Sequence, residues 1–113
     1  SHSDNDVRME VKFGTSYDSD PHTVRELAVA AAEKPARVVD YPPPVCHLKE
    51  FGDSSLNFVL RFWIRDPAKG VTNVKGLVLL ALWDSLKEHN IQIPYPQQVV
   101  HLAPGAKLSD TKS

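Results

Sequence analysis

Leu56-Asn57-Phe58-Val59-Leu60-Arg61-Phe62-Trp63-Ile64 is the stretch on which the fold turns. Every second residue, from Leu56 through Phe58, Leu60 and Phe62 to Ile64, is apolar. The set between them contains Asn57 and Arg61. A period of two is that of a β-strand with one face in a core. The spacing predicts a strand over 55–65, closed by Asp66-Pro67. Upstream, 45–51 reads as a second strand, and Gly52-Asp53-Ser54 as the tight turn joining the two into a hairpin.

Working outward from this hairpin, Val7, Met9, Val11 and Phe13 alternate with Arg8, Glu10 and Lys12, a strand that Gly14 is expected to end. Asp20-Pro21 is a helix start: the carboxylate accepts bonds from free N–H groups, and proline at the first position loses no bond. Val24, Leu27, Ala28 and Ala31 then form one apolar stripe, and Pro35 stops the helix. Residues 34–44, with Pro42-Pro43-Pro44, read as a stiff spacer. A second helix is expected over 69–90, with Val71, Val74, Leu77, Val78, Ala81, Leu82 and Leu86 on its core face. Residues 91–93 are a short edge strand, and 97–102, with Val99 and Val100, one more. The order is α+β and ferredoxin-like, βαββαβ, an antiparallel sheet covered on one face by two helices.

The 113 residues suit one domain, with 42% hydrophobic residues for its core. Thirteen Lys and Arg against fourteen Asp and Glu argue against nucleic-acid binding and against a polybasic membrane surface. A lone Cys46 forms no internal disulfide and no cysteine metal cluster. No apolar run approaches the ~18 residues of a spanning helix, so any membrane contact is expected only through segments absent from this chain. Residues 1–6 are expected to be a polar lead-in, 7–95 the α+β domain, 96–102 a strand able to join an oligomeric barrel, and 103–113 a disordered tail.

Chemistry finds little support. His2, His22, His47, His89 and His101 show no metal-ligand spacing. Cys46 and His47 are neighbours in a strand and point to opposite faces, which does not suit a nucleophile and its base. An acyl-phosphate hydrolase would need an arginine and an asparagine at a phosphate loop. Arg8 and Asn57 are present, but the loop at 15–20 carries Asp18 and Asp20 and no glycine. No metal, no cofactor and no catalysis are expected. The more informative signal is apolar residues off the core faces: Val59 and Trp63 on the long strand, and Leu80 and Trp83 beside Gly76 on the second helix. Aromatic residues are enriched at contact surfaces, so these residues are candidates for protein contact.

Three stretches carry a resemblance: Phe51-Gly52-Asp53-Ser54-Ser55-Leu56-Asn57-Phe58 with Arg61-Phe62-Trp63, Tyr17-Asp18-Ser19-Asp20, and Ile93-Pro94-Tyr95-Pro96-Gln97. Over 7–102 the chain resembles the C-terminal cytoplasmic domain of the small-conductance mechanosensitive channel family. That resemblance implies a structural part of a homoheptameric membrane channel that answers osmotic stress. The domain would sit on the cytoplasmic side of a bacterial inner membrane and wall a hollow vestibule. It further implies that 97–102 serves a barrel between subunits, leaving 91–93 as the domain's closing strand. Subunit contact then falls to Val59, Trp63, Gly76, Leu80, Trp83, Val99 and Val100. The alternative is a stand-alone ferredoxin-like domain that binds a small ligand or regulates an enzyme.

Overall fold

Leu56–Ile64 is indeed a strand, β3, and it is the middle one of three. In the computed structural model, which describes residues 5–94, it pairs antiparallel with β1 (Val7–Thr15) on one side and with β2 (Val45–Phe51) on the other. Helices α1 (Pro21–Ala32) and α2 (Thr72–Glu88) cover one face. The five alternating side chains from Leu56 to Ile64 are all buried there. They meet Val24, Ala28 and Ala31 of α1 and Val74, Val78, Leu82 and Leu86 of α2, with Val11 from β1. Removing that apolar surface from water is the main stabilising term, about 1.5–3 kcal/mol for each large side chain before chain entropy is set against it.

Local chemistry places the elements. Asp20 caps α1, its carboxylate accepting from the His22 N–H at 2.9 Å, with Pro21 at the first helical position. The hairpin turn closes with the Gly52 N–H donating to the Ser55 carbonyl at 2.8 Å. A bulge between Leu48 and Glu50 then shifts the register of β2. Gly14 does not end β1. It pairs with Asn57 inside the strand, where a Cβ would lie 2.9 Å from Ser55 Oγ. The glycine makes room for the Ser55–Asn57 hydrogen bond, 2.6 Å, that crosses there.

The spacer is more than a spacer. Val38 bridges to Ile64, and the Val39 N–H donates to the Trp63 carbonyl at 3.0 Å. These residues extend the β2 side of the sheet past the point where β2 begins opposite Arg61. Arg37 holds the next turn, its guanidinium donating to the Arg65 carbonyl at 3.1 and 3.3 Å.

Three further expectations are corrected. The second helix starts at Thr72, because Pro67–Lys69 is a separate 3-10 turn broken by Gly70 at φ 100°, which no continuing helix adopts. Leu77 is not a core residue: it is 54% exposed. Buried positions on α2 recur every fourth residue, from Val74 to Leu86. At ~100° per residue Leu77 falls well outside that stripe. Finally, 91–93 form no strand. Ile91 is buried and its N–H caps α2 at the Leu86 carbonyl, 2.8 Å, while the Gln92 carbonyl accepts from Ser16 N–H at 2.9 Å. Among the described residues the architecture is α+β with a three-stranded antiparallel sheet in the order β1-β3-β2. The strand expected at 97–102, with Val99 and Val100, and the tail at 103–113 lie outside the described residues.

Candidate assembly surface

Helix α2 carries more apolar surface than one sheet face can cover. Its run from Gly76 to Trp83 is apolar at every position, so a stripe buried on one side leaves apolar residues on the other. Leu80 is 63% and Trp83 50% exposed, and Leu77 and Leu79 are exposed beside them. A Cβ added at Gly76 would meet nothing within 4 Å, so the notch expected one turn before Leu80 is open. Lys87 Nζ stands 5.2 Å from the centre of the Trp83 ring and anchors the indole by a cation–π contact. Past Trp83 the surface dips into an open groove of about 590 Å³, lined by Trp83, Leu86, Lys87 and residues 90–94.

Of the candidate contact residues, Gly76, Leu80 and Trp83 come together on this one helix face. Val59 does not belong with them. It lies on the sheet face away from the helices and is only 1% exposed, because on the middle strand it is flanked by Lys12 of β1 and His47 of β2. It also stands apart from the main core cluster. Trp63 is only partly exposed, with Arg8 opposite it on β1 and Val39 hydrogen-bonded to its backbone. A central strand hides its outward residues under neighbours on both sides. Alternation alone does not reveal this. Leu77, Leu79 and Ile93 are exposed apolar residues that spacing does not single out, although the unbroken apolar run of α2 is a signal that some of it must face outward.

The sheet's outer face is polar. Arg61 Nε donates to Glu10 Oε2 at 2.7 Å, and this hydrogen bond holds the Glu10 carboxyl below its ordinary range. The arginine and asparagine of the acyl-phosphate alternative are not brought together there. Arg8 stands opposite Trp63 and Asn57 opposite Gly14, which separates the two by about 20 Å along β3 at ~3.3 Å per residue. Among the described residues no three of His, Cys, Asp and Glu are grouped to hold a metal. Cys46 is buried, and burial pushes its thiol up to about 11, only partly offset by the positive charge of Arg25. Arg25 Nε donates to the Cys46 carbonyl at 2.9 Å rather than to the sulfur.

A thiol with so high a pKa stays protonated and unreactive at neutral pH. Native protein should therefore react with a thiol reagent at pH 7.5 much more slowly than unfolded protein, as timed absorbance would show. Because the unfolded thiol titrates near 9 and the folded one near 11, stability is retained below pH 9. It falls as pH rises through that interval, and a Cys46→Ala variant should lack this component in urea titrations.

The comparisons with known proteins agree with this geometry. Residues 9–93 match the family model for the C-terminal domain of the mechanosensitive ion channel MscS. The chain is 34% identical over 107 residues to an uncharacterized MscS family protein of Synechocystis, covering 94% of this chain and 36% of that one. It is 31% identical over 99 residues to the mechanosensitive channel MscK of Escherichia coli, covering 88% of this chain and 9% of that protein. Among solved structures, Helicobacter pylori MscS in its closed state superposes with a TM-score of 0.75 at 24% identity, over 88% of this chain and 39% of that one. Arabidopsis thaliana MSL1 gives 0.70 at 16% identity, over 81% and 35%. The chain thus spans about a third of the length of the first curated relatives it matches. No helix among the described residues is long and apolar enough to cross a membrane. A family model over most of the chain, with a two-helix, three-strand domain of the matching shape, makes this chain a member of the MscS mechanosensitive channel family, carrying its C-terminal domain.

Proposed function

We propose that this domain is a passive wall element of a mechanosensitive channel: it shapes the cytoplasmic vestibule below the pore and joins neighbouring subunits, and it catalyses nothing. The observation that carries this reading is the exposed Leu80–Trp83 face of α2, with the open notch at Gly76. Large apolar residues on a solvent face are stabilised when a partner covers them, and aromatic anchors dominate such contacts. A wall also needs rigidity, which the β3 core supplies. The neighbour in question is a second copy of the same chain, in a closed ring of seven, with 97–102 contributing to a shared barrel through Val99 and Val100. A closed barrel would leave no strand edge open to stray pairing. The ring would sit on the cytoplasmic side of the bacterial inner membrane, and osmotic stress would be sensed by segments outside this chain. Solute selection would follow from charge and aperture where subunits meet.

The test is sedimentation of a longer protein in which this chain follows its natural upstream segment. A closed ring of defined mass is expected. A strictly monomeric species at high concentration would remove the reading. Among the described residues, the grooves beside Trp83 and between α1 and β2 are open troughs rather than enclosed cavities, which does not favour the small-ligand alternative.

A further inference from the structure

β1 is the terminal strand of the described sheet, hydrogen-bonded to β3 on one side only. The bond from Ser16 N–H, just past the strand, to the Gln92 carbonyl shows which way its outer edge faces. Backbone groups alternate along a strand, so those of Arg8, Glu10, Lys12 and Gly14 point to the same open side as Ser16. The chain's own next residues do not extend that pairing well. Continued antiparallel from Gln92 opposite Ser16, Pro94 would stand opposite Gly14 without an N–H to donate.

Native edges are usually protected by charge. A protective row would carry like charges, which repel a second copy in every register. The open edge of β1 instead alternates in sign along one face, Arg8, Glu10, Lys12, with Asp6 just before the strand. In an antiparallel pair of identical strands, one register places Arg8 opposite the partner's Glu10 and Asp6 opposite the partner's Lys12, so opposite charges face each other at every such pair. Sliding by one step either way puts Glu10 against Glu10 and Arg8 against Lys12, or Arg8 against Arg8 and Asp6 against Glu10. Cross-strand charge pairs of this kind set register, and like pairs are destabilising. In the complementary register Val7 faces Val11 and Met9 faces Met9 on the inner side, continuing the apolar face of the sheet. Glu10 keeps a second oxygen for the partner, since Arg61 takes only Oε2.

We infer that the free edge of β1 is a two-fold docking site for the β1 of a second copy of this chain, joining two three-stranded sheets into one. This contact is self-closing and therefore distinct from the head-to-tail contact of a ring. It uses no residue of α2 and does not rest on the proposed function.

Sedimentation velocity of the 113-residue chain tests it. At concentrations up to roughly 1 mM, where weak strand-pairing contacts are populated, the mass should rise toward twice the monomer. Arg8→Glu and Glu10→Arg should each weaken self-association by about tenfold or more, because each sets like charges face to face twice. Mixed one to one, the two variants should recover it. The glutamate introduced in one then faces the arginine introduced in the other, and the unchanged Glu10 of the first faces the unchanged Arg8 of the second. Arg8→Pro should abolish pairing with an unchanged circular dichroism spectrum, because the N–H it removes faces outward from the β1–β3 ladder. This last variant leaves the Glu10–Arg61 bond untouched, so a folding defect in Glu10→Arg does not stall the test. A wild-type chain that stays monomeric throughout would overturn the inference. So would a dimer that survives Arg8→Pro, or one that is lost on replacing Leu80 and Trp83, which would move the contact to α2.

Discussion

Phe62→Ala should lower the unfolding free energy by ~3–5 kcal/mol in urea titrations followed by circular dichroism, the range for an aromatic deleted from a close-packed core. Phe62 is fully buried on the middle strand, paired with Met9 across β1, and it belongs to the cluster on which both helices rest. Neither helix can slide in to fill the space, because each is already pinned by its own stripe from Val24 to Ala31 and from Val74 to Leu86. Domains of this size are stable by only about 5–15 kcal/mol, so this one change consumes much of the margin. A Leu80→Ala control should move stability by less than ~0.5 kcal/mol, since Leu80 is mostly exposed. If Phe62→Ala proved as mild as Leu80→Ala, β3 would not be the core strand.

The second large effect concerns assembly instead of folding. In the longer protein, replacing both Leu80 and Trp83 by aspartate should dissociate the ring, each residue contributing about 2 kcal/mol or more as a central apolar anchor. Sedimentation would show the loss of the high-mass species, with the thermal midpoint of the isolated domain nearly unchanged. Trp83 carries the larger share. Its ring is held in place by Lys87, so little side-chain freedom is lost when a partner covers it. Lys87→Ala should therefore weaken assembly mildly while leaving the domain folded. Survival of the ring in the double variant would show that neighbours meet elsewhere.

These two outcomes separate what α2 does on its two sides. Its buried stripe reads directly from Val74, Val78, Leu82 and Leu86, since a spacing of four is a helical spacing whatever the helix touches. Leu77 is misplaced by spacing because periodicity gives the phase of a stripe but not its width. How far round a helix the core reaches depends on how closely α1 packs beside it. Val59 shows the complementary limit of spacing. Alternation correctly puts it on the outer face, yet exposure there depends on Lys12 and His47, which arrive from other strands of the sheet.

Strand partners show the same division. The hairpin of β2 and β3 is legible because the turn at Gly52 is local and its closing bond spans few residues. The pairing of β1 with β3 joins residues about fifty positions apart, and only the packed helices bring them together. The fate of 91–93 is not set locally by Ile91, Gln92 and Ile93 with Pro94 behind them. Ile91 serves the core and the end of α2, and among the described residues one backbone hydrogen bond, from Ser16 just past β1 to Gln92, joins this segment to the sheet edge.

The sequence by itself determined the kinds and order of β1, α1, β2, β3 and α2 and the inward residues of β3, because each rests on spacing within a few residues and on the cost of leaving apolar groups in water. Only the tertiary structure decided which outward apolar residues stay outward, and which strands stand at the edges of the described sheet. Those are properties of neighbours that are distant in the chain, and no local pattern encodes where a distant neighbour stops.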